Sequence, residues 1–148
     1  MSNTLIRPYR PTDWHEWHRM HRALFPDTPE PEVWMHAFLK RPVAIVFVAD
    51  LGPQCCGYIS ITAQAPFCPG PSARPFGYIE AFWVDPEFRA KGVGRELQKA
   101  ACVWARVHGF DELGADIVVG NDLSLEVHEK LGYERVESVT HVRKWIGK

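Results

Sequence analysis

The sequence predicts a mixed α/β fold: a single central sheet, mostly antiparallel with a parallel part, flanked by helices on both faces. Three observations predict it. Apolar residues change period along the chain, alternating between the two-residue repeat of strands and the longer repeat of helices. Strand-turn-strand order comes early and strand-helix-strand order late, so antiparallel hairpins precede a parallel crossover. The composition, 46% hydrophobic and 24% charged over 148 residues, is that of a packed globular protein, and the length suits one domain over residues 1–148.

The elements follow in order. Thr4 to Arg7 reads as a short strand. Asp13 with Glu16 three residues later gives a capping-box-like helix start, and Trp14, Trp17, Met20 and Leu24 form one apolar stripe that Pro26 ends. Pro31 to Lys40 fits a second short helix with proline near its first turn. Val43 to Asp50 is β-branched and aromatic, the turn Leu51-Gly52-Pro53-Gln54 reverses the chain, and Cys55 to Ala63 returns beside it. A surface loop rich in Pro and Gly, Pro66 to Gly77, leads into a strand from Phe76 to Val84 that Asp85-Pro86 stops. Gly92 to His108 is a long helix with Val93, Leu97, Ala100, Ala101, Trp104 and Val107 on its apolar side and Gly109 at its end. A strand from Leu113 to Val119 and a helix from Leu123 to Leu131 come next. One long or two short strands within Tyr133 to Trp145 complete the order.

Charge and composition narrow the function. Lys plus Arg number 17 against 18 Asp plus Glu, a formal charge of -1, so no basic field is available for a nucleic acid backbone. The longest apolar run, Val43 to Ala49, is far short of the ~20 residues a membrane span needs, and the N-terminus lacks the apolar core of a signal peptide. A cytoplasmic protein is expected. Adjacent Cys55 and Cys56 point to opposite faces of a strand, and with Cys68 and Cys102 they read as reduced thiols. His15, His18 and His21 fall three apart on a helix, but no Cys, Asp or Glu set joins them at zinc-site spacing, so no metal is expected.

Chemistry concentrates where the central strand meets the long helix. Arg89 to Gly94 places a glycine-bearing loop at a helix N-terminus, where unsatisfied backbone N–H groups and the helix dipole favour a pyrophosphate. Arg89, Lys91 and Arg95 add positive charge. A P-loop would need Lys then Ser or Thr after its last glycine, and a dinucleotide fingerprint would need Gly or Ala near Leu97.

Arg89-Ala90-Lys91-Gly92-Val93-Gly94 resembles the [QR]-x-x-G-x-[GA] acetyl-coenzyme A signature of the GNAT superfamily of N-acetyltransferases. Asn121, Ser124, Leu125, His128 and Leu131-Gly132-Tyr133 are similar to that family's ending. The resemblance implies the GNAT fold, whose central strand splays from its neighbour so that the cofactor's pantetheine arm lies in the gap. It implies acetyl-CoA contacts at Phe82, Trp83 and Val84, along Arg89, Ala90, Lys91, Gly92, Val93, Gly94 and Arg95, and at Asn121 and Ser124. A closer resemblance is to the aminoglycoside 6'-N-acetyltransferases, carried by Ile79-Glu80-Ala81-Phe82-Trp83-Val84 and Ala115-Asp116-Ile117. It implies Glu80 and Asp116 as contacts to a cationic sugar, Phe25-Pro26-Asp27 as a wall of the substrate cleft, a role in aminoglycoside resistance, and a homodimer formed through C-terminal strands. Where that group carries an Arg-x-Asp-Tyr-like element, this chain has Gln64-Ala65-Pro66-Phe67.

Residue chemistry assigns roles within that frame. Acetyl transfer needs an uncharged amine, so a carboxylate that binds the ammonium and drains its proton serves both ends. Glu80 fits, mid-strand, with Ile79 and Ala81 expected to point the other way; a Glu paired with Arg or Lys inside the fold is the alternative. A backbone N–H near Trp83 or Val84 suits the thioester oxygen. His128 occupies the place where many relatives carry a Tyr, and either donates a proton to the leaving thiolate or is a hydrogen-bonded helix histidine. Asp27, Glu30, Glu32, Glu80, Asp116 and, more weakly, Glu137 are candidates for an acidic cleft that takes a polycation, a solvated acidic turn and helix start being the alternative for Asp27, Glu30 and Glu32. Three functions are compatible: aminoglycoside N-acetylation, acetylation of another small amine, polyamine or peptide N-terminus, and a catalytically silent acyl-coenzyme A binding module.

Overall fold

The computed structural model describes residues 3–65, 74–117, 120–136, 140 and 142–147. The chain divides into two compact units, Met1–Ala115 and Asp116–Lys148. The first unit is built on a sheet of five strands in the order β1-β2-β3-β4-β5, comprising β1 (Leu5–Pro8), β2 (Ala44–Asp50), β3 (Cys55–Gln64), β4 (Phe76–Val84) and β5 (Leu113–Ala115). β1 through β4 are antiparallel, each to the next, and β4 runs parallel to β5. That one parallel pair needs a crossover, which the long helix α3 (Val93–Val107) supplies.

Helices α1 (Trp14–Leu24) and α2 (Pro31–Leu39) cover one face of the sheet, and α3 covers the other. The expected apolar stripe explains α1, since Trp17 and Met20 are completely buried, against Met35 and Phe38 of α2 and Tyr58 of β3. On the other face Leu97, Ala101, Trp104 and Ala105 of α3 pack on Ile59, Ile61 and Ile79. The hairpin turn is as read, closed by the Leu51 N–H to the Gln54 carbonyl at 2.8 Å.

Three expectations need correction. Asp13 and Glu16 do not form a capping box. The Asp13 carboxylate takes both terminal nitrogens of Arg7, at 2.7 and 2.8 Å, and Glu16 accepts the Cys55 N–H at 2.9 Å, so tertiary partners outcompete the local cap. Second, β5 ends at Ala115; Asp116 and Ile117 lie outside it, and the expected continuation through Val118 and Val119 falls outside the described residues. Third, the described residues between 133 and 147 take no strand, and Val136, Val142, Trp145 and Ile146 are exposed. β-branched and aromatic composition favours a strand only where a ladder partner exists. The second unit contributes helix α4 (Asp122–Lys130), which Asn121 caps. Most of the Pro/Gly loop, with Cys68, lies outside the described residues. Among those described, no helix is long and apolar enough to cross a membrane.

Candidate active site

The site begins with an irregularity in β4. Ser60 pairs with Ala81 and Ile61 with Ile79, so Glu80 is an extra residue with no opposite number on β3, a β-bulge. The bulge changes which way side chains face. Ile79 enters the core under α3, whereas Ala81 enters the core under α1 and α2, so the expectation that both point away from Glu80 together fails. A plain period-two reading has no means of marking an inserted residue.

Glu80 meets Arg41, just past the end of α2, whose Nη1 donates to Oε1 at 2.8 Å. The Arg41 side chain is 38% exposed and that of Glu80 21%. The guanidinium also stands over the Phe38 ring, 5.2 Å from its centroid. Beside it a cavity of about 300 Å³ is lined by Arg41, Pro42, Val43, Thr62 and Ala63. The residue-based alternative for Glu80, an ion pair, is therefore present, in a half-exposed form open to exchange.

Beyond the bulge, β4 outruns β5. The two pair only from Gly77 to Ile79, and β4 runs on to Val84. The Asp85 N–H donates to the Cys56 carbonyl, which turns that residue's backbone toward β3. Alternation then turns the backbone groups of Val84 and Phe82 to the opposite side. The Arg89 Nε, donating to the Val84 carbonyl at 2.8 Å, agrees with that direction.

The signature loop closes this end of the strand. Ala90 and Gly92 both have positive φ, +60° and +90°, and a side chain built at Gly92 would stand in open space. No side chain caps the start of α3, which leaves its first amides as donors. A Cβ at Gly94 would come within 3.1 Å of the Phe82 ring, so glycine lets the helix start close on the strand. Val93 is buried in the core, while Ala90, Lys91 and Arg95 are exposed.

A clamp missed in the sequence fixes Arg89. Asp85, only 5% exposed, accepts the Trp83 Nε1–H at 2.8 Å and two nitrogens of Arg19 at 3.0 and 3.1 Å. Held this way, the Trp83 ring carries the Arg89 guanidinium 4.8 Å from its centroid. Asp85-Pro86 gave itself away only as a strand stop, because the Arg19 contact spans the fold.

Of the remaining residues, Phe25 packs on His21 with ring centroids 4.9 Å apart and shares the α1/α2 core with Trp83 and Ala81, whereas Asp27 is exposed in the turn after α1. In the second unit Asp116 is exposed, and the Asn121 side chain accepts the Ser124 N–H at 3.3 Å. His128 is buried, with Nδ1 on the Ser124 carbonyl at 2.8 Å and its ring against Tyr133. A carbonyl only accepts, so Nδ1 carries the hydrogen. Glu137 lies outside the described residues. No group of three or more potential metal ligands occurs among the described residues.

The first unit is thus a mixed-sheet protein with a central strand that outruns its neighbour into a helix-entry loop rich in backbone donors. The chain belongs to the Acetyltransferase (GNAT) family, which it matches over residues 12–133. It is 28% identical to an aminoglycoside N(6')-acetyltransferase type 1 of Stenotrophomonas maltophilia over 93% of this chain and 91% of that one. A Klebsiella aerogenes protein of the same name is 28% identical over 97% of each chain. Among solved structures, AAC(6')-Iy in complex with the bisubstrate analogue CoA-S-monomethyl-acetylneamine superposes with a TM-score of 0.86 at 26% identity, over 97% of this chain and 99% of that one.

Proposed function

We propose that the protein is an acetyl-CoA-dependent N-acetyltransferase that acetylates an amine of aminoglycoside antibiotics, the 6'-amine, and so confers resistance. The observation that carries the reading is the course of β4, which runs on past its last pairing with β5 at Ile79 to the uncapped start of α3. Similarity along nearly the full length of two aminoglycoside N(6')-acetyltransferases supports the acceptor.

The residues fit acetyl-CoA: open space at Gly92, uncapped amides and the fixed Arg89 guanidinium suit a pyrophosphate. When bound, it supplies an acyl group activated as a thioester. Arg89, Ala90, Lys91, Gly92, Val93, Gly94 and Arg95 would hold the diphosphate, Phe82, Trp83 and Val84 would line the thioester arm, and Asn121 and Ser124 would add contacts. The outward amide of Val84 would polarise the acyl oxygen. Glu80 binds the acceptor ammonium and takes its proton on Oε2, since Oε1 is engaged with Arg41. His128 returns a proton to the leaving sulfur from Nε2, which requires the imidazolium because Nδ1–H is committed to Ser124. Phe25, Asp27 and Asp116 would contact the acceptor. The protein works as one domain over residues 1–148, as a cytoplasmic homodimer.

A thiol-release assay with acetyl-CoA and kanamycin-type, polyamine and peptide acceptors tests the reading. Turnover with aminoglycosides is expected. Turnover confined to polyamines or peptides would move the acceptor, and tight coenzyme binding without turnover would indicate a silent binding module. Glu80→Gln should lower kcat by ~10²-fold with coenzyme affinity retained; a variant at full speed removes Glu80 from the mechanism.

A further inference from the structure

We propose that Arg41 is an internal competitor for the acceptor, a resident cation on the carboxylate that the acceptor's ammonium must take over. The inference rests on Glu80 being the ammonium anchor. Guanidinium and alkylammonium groups seek the same acceptor oxygens, and Arg41 already holds Oε1 at 2.8 Å. The hold is built to be released. It is a single hydrogen bond, without the parallel pair a guanidinium makes when it grips a carboxylate. Both side chains keep contact with water, 38% and 21% exposed, where such pairs are weak.

Placement adds to the case. Arg41 follows the last turn of α2, its N–H on the Phe38 carbonyl at 3.1 Å, and its guanidinium stands over the Phe38 ring. The cavity of about 300 Å³ lined by Arg41, Pro42, Val43, Thr62 and Ala63 gives the displaced head group somewhere to go. Arg41 therefore sets a threshold: an acceptor that offers one ammonium merely trades with the guanidinium, and one with further charges gains contacts elsewhere. Glu80, next to α3-facing Ile79, lies on the face where α2 ends, and the bulge leaves it without an opposite residue on β3.

The test is acceptor binding in Arg41→Ala and Arg41→Met, the second keeping a long unbranched side chain without the charge. Calorimetric titration of kanamycin into each folded variant, without coenzyme, should show binding about two- to fivefold tighter than wild type, the range set by an exposed ion pair. KM for kanamycin should fall with it. Arg41→Lys, which keeps a cation, should bind like wild type. In a Glu80→Gln background, Arg41→Ala should make no difference, because the shared carboxylate is gone. Unchanged or weaker binding in both Arg41→Ala and Arg41→Met overturns the inference. If Glu80→Gln alone is fully active, the anchor assignment fails instead; if Glu80→Gln is crippled and the Arg41 variants gain nothing, only the competition fails.

Discussion

At Ala90 the backbone adopts φ +60°, a left-handed conformation that costs an L-residue with a Cβ roughly 1–2 kcal/mol. The signature loop accepts that strain while turning successive amides toward one point. Ala90→Gly should relieve it. Glycine's greater freedom in the unfolded chain cancels part of the gain, so we expect about 1 kcal/mol of added stability, read as a higher midpoint in urea or heat. A lower midpoint would mean that the Ala90 methyl packs productively. Gly92, at φ +90°, already avoids the same cost. Single residues also mark what the chain's pattern conveyed and what it did not. Arg89 to Gly94 announced themselves because glycines and cations crowd into a few positions. Arg41, Asp85 and Arg19 did not, since their meaning lies in partners 39 and 66 residues away.

Between elements, a close fit joins β3 to β4 and to α3. Gly57 pairs with Val84, and a Cβ there would sit 2.9 Å from the Trp83 carbonyl oxygen and 3.1 Å from Leu97 Cδ1. A backbone oxygen cannot step aside as a side-chain tip can. Gly57→Ala should therefore destabilise the fold by about 1–3 kcal/mol and, by pushing β4 outward, weaken coenzyme binding as well. Wild-type stability in that variant, read from urea unfolding, would show that the strands separate freely. Elements with a strong period were legible from β1 to α3, because burial on one face imposes the repeat. The bulge was not, since an inserted residue leaves composition unchanged. At the end of the chain, apolar and β-branched composition predicted strand where the described residues take none.

For the molecule as a whole, acid should act through His21. It is buried between α1 and β3, with Nδ1 on the Tyr58 hydroxyl at 2.7 Å and its ring stacked 4.7 Å from Trp34. Burial, with a smaller push from His18, brings its pKa from 6.5 down to about 4. Below pH 6.5 the unfolded chain takes up a proton that the folded one refuses, so stability is complete above that value. It should decline by up to about 3 kcal/mol as the pH falls toward 4. Asp13, Glu16 and Asp50, held below the usual carboxylate range chiefly by Arg7, Arg19 and the Gly52 amide respectively, add losses only at lower pH. Urea titrations from pH 7.5 to 4.5 should show this slope, and His21→Gln should flatten it; an equal slope in the variant would place the sensitivity elsewhere. The stretch of β4 past Ile79 has one more consequence. Among the described residues no strand pairs with it on the side away from β3. A stretch laddered on β3 alone should open more readily than β3 itself, so a saturating thioester should slow amide exchange along it.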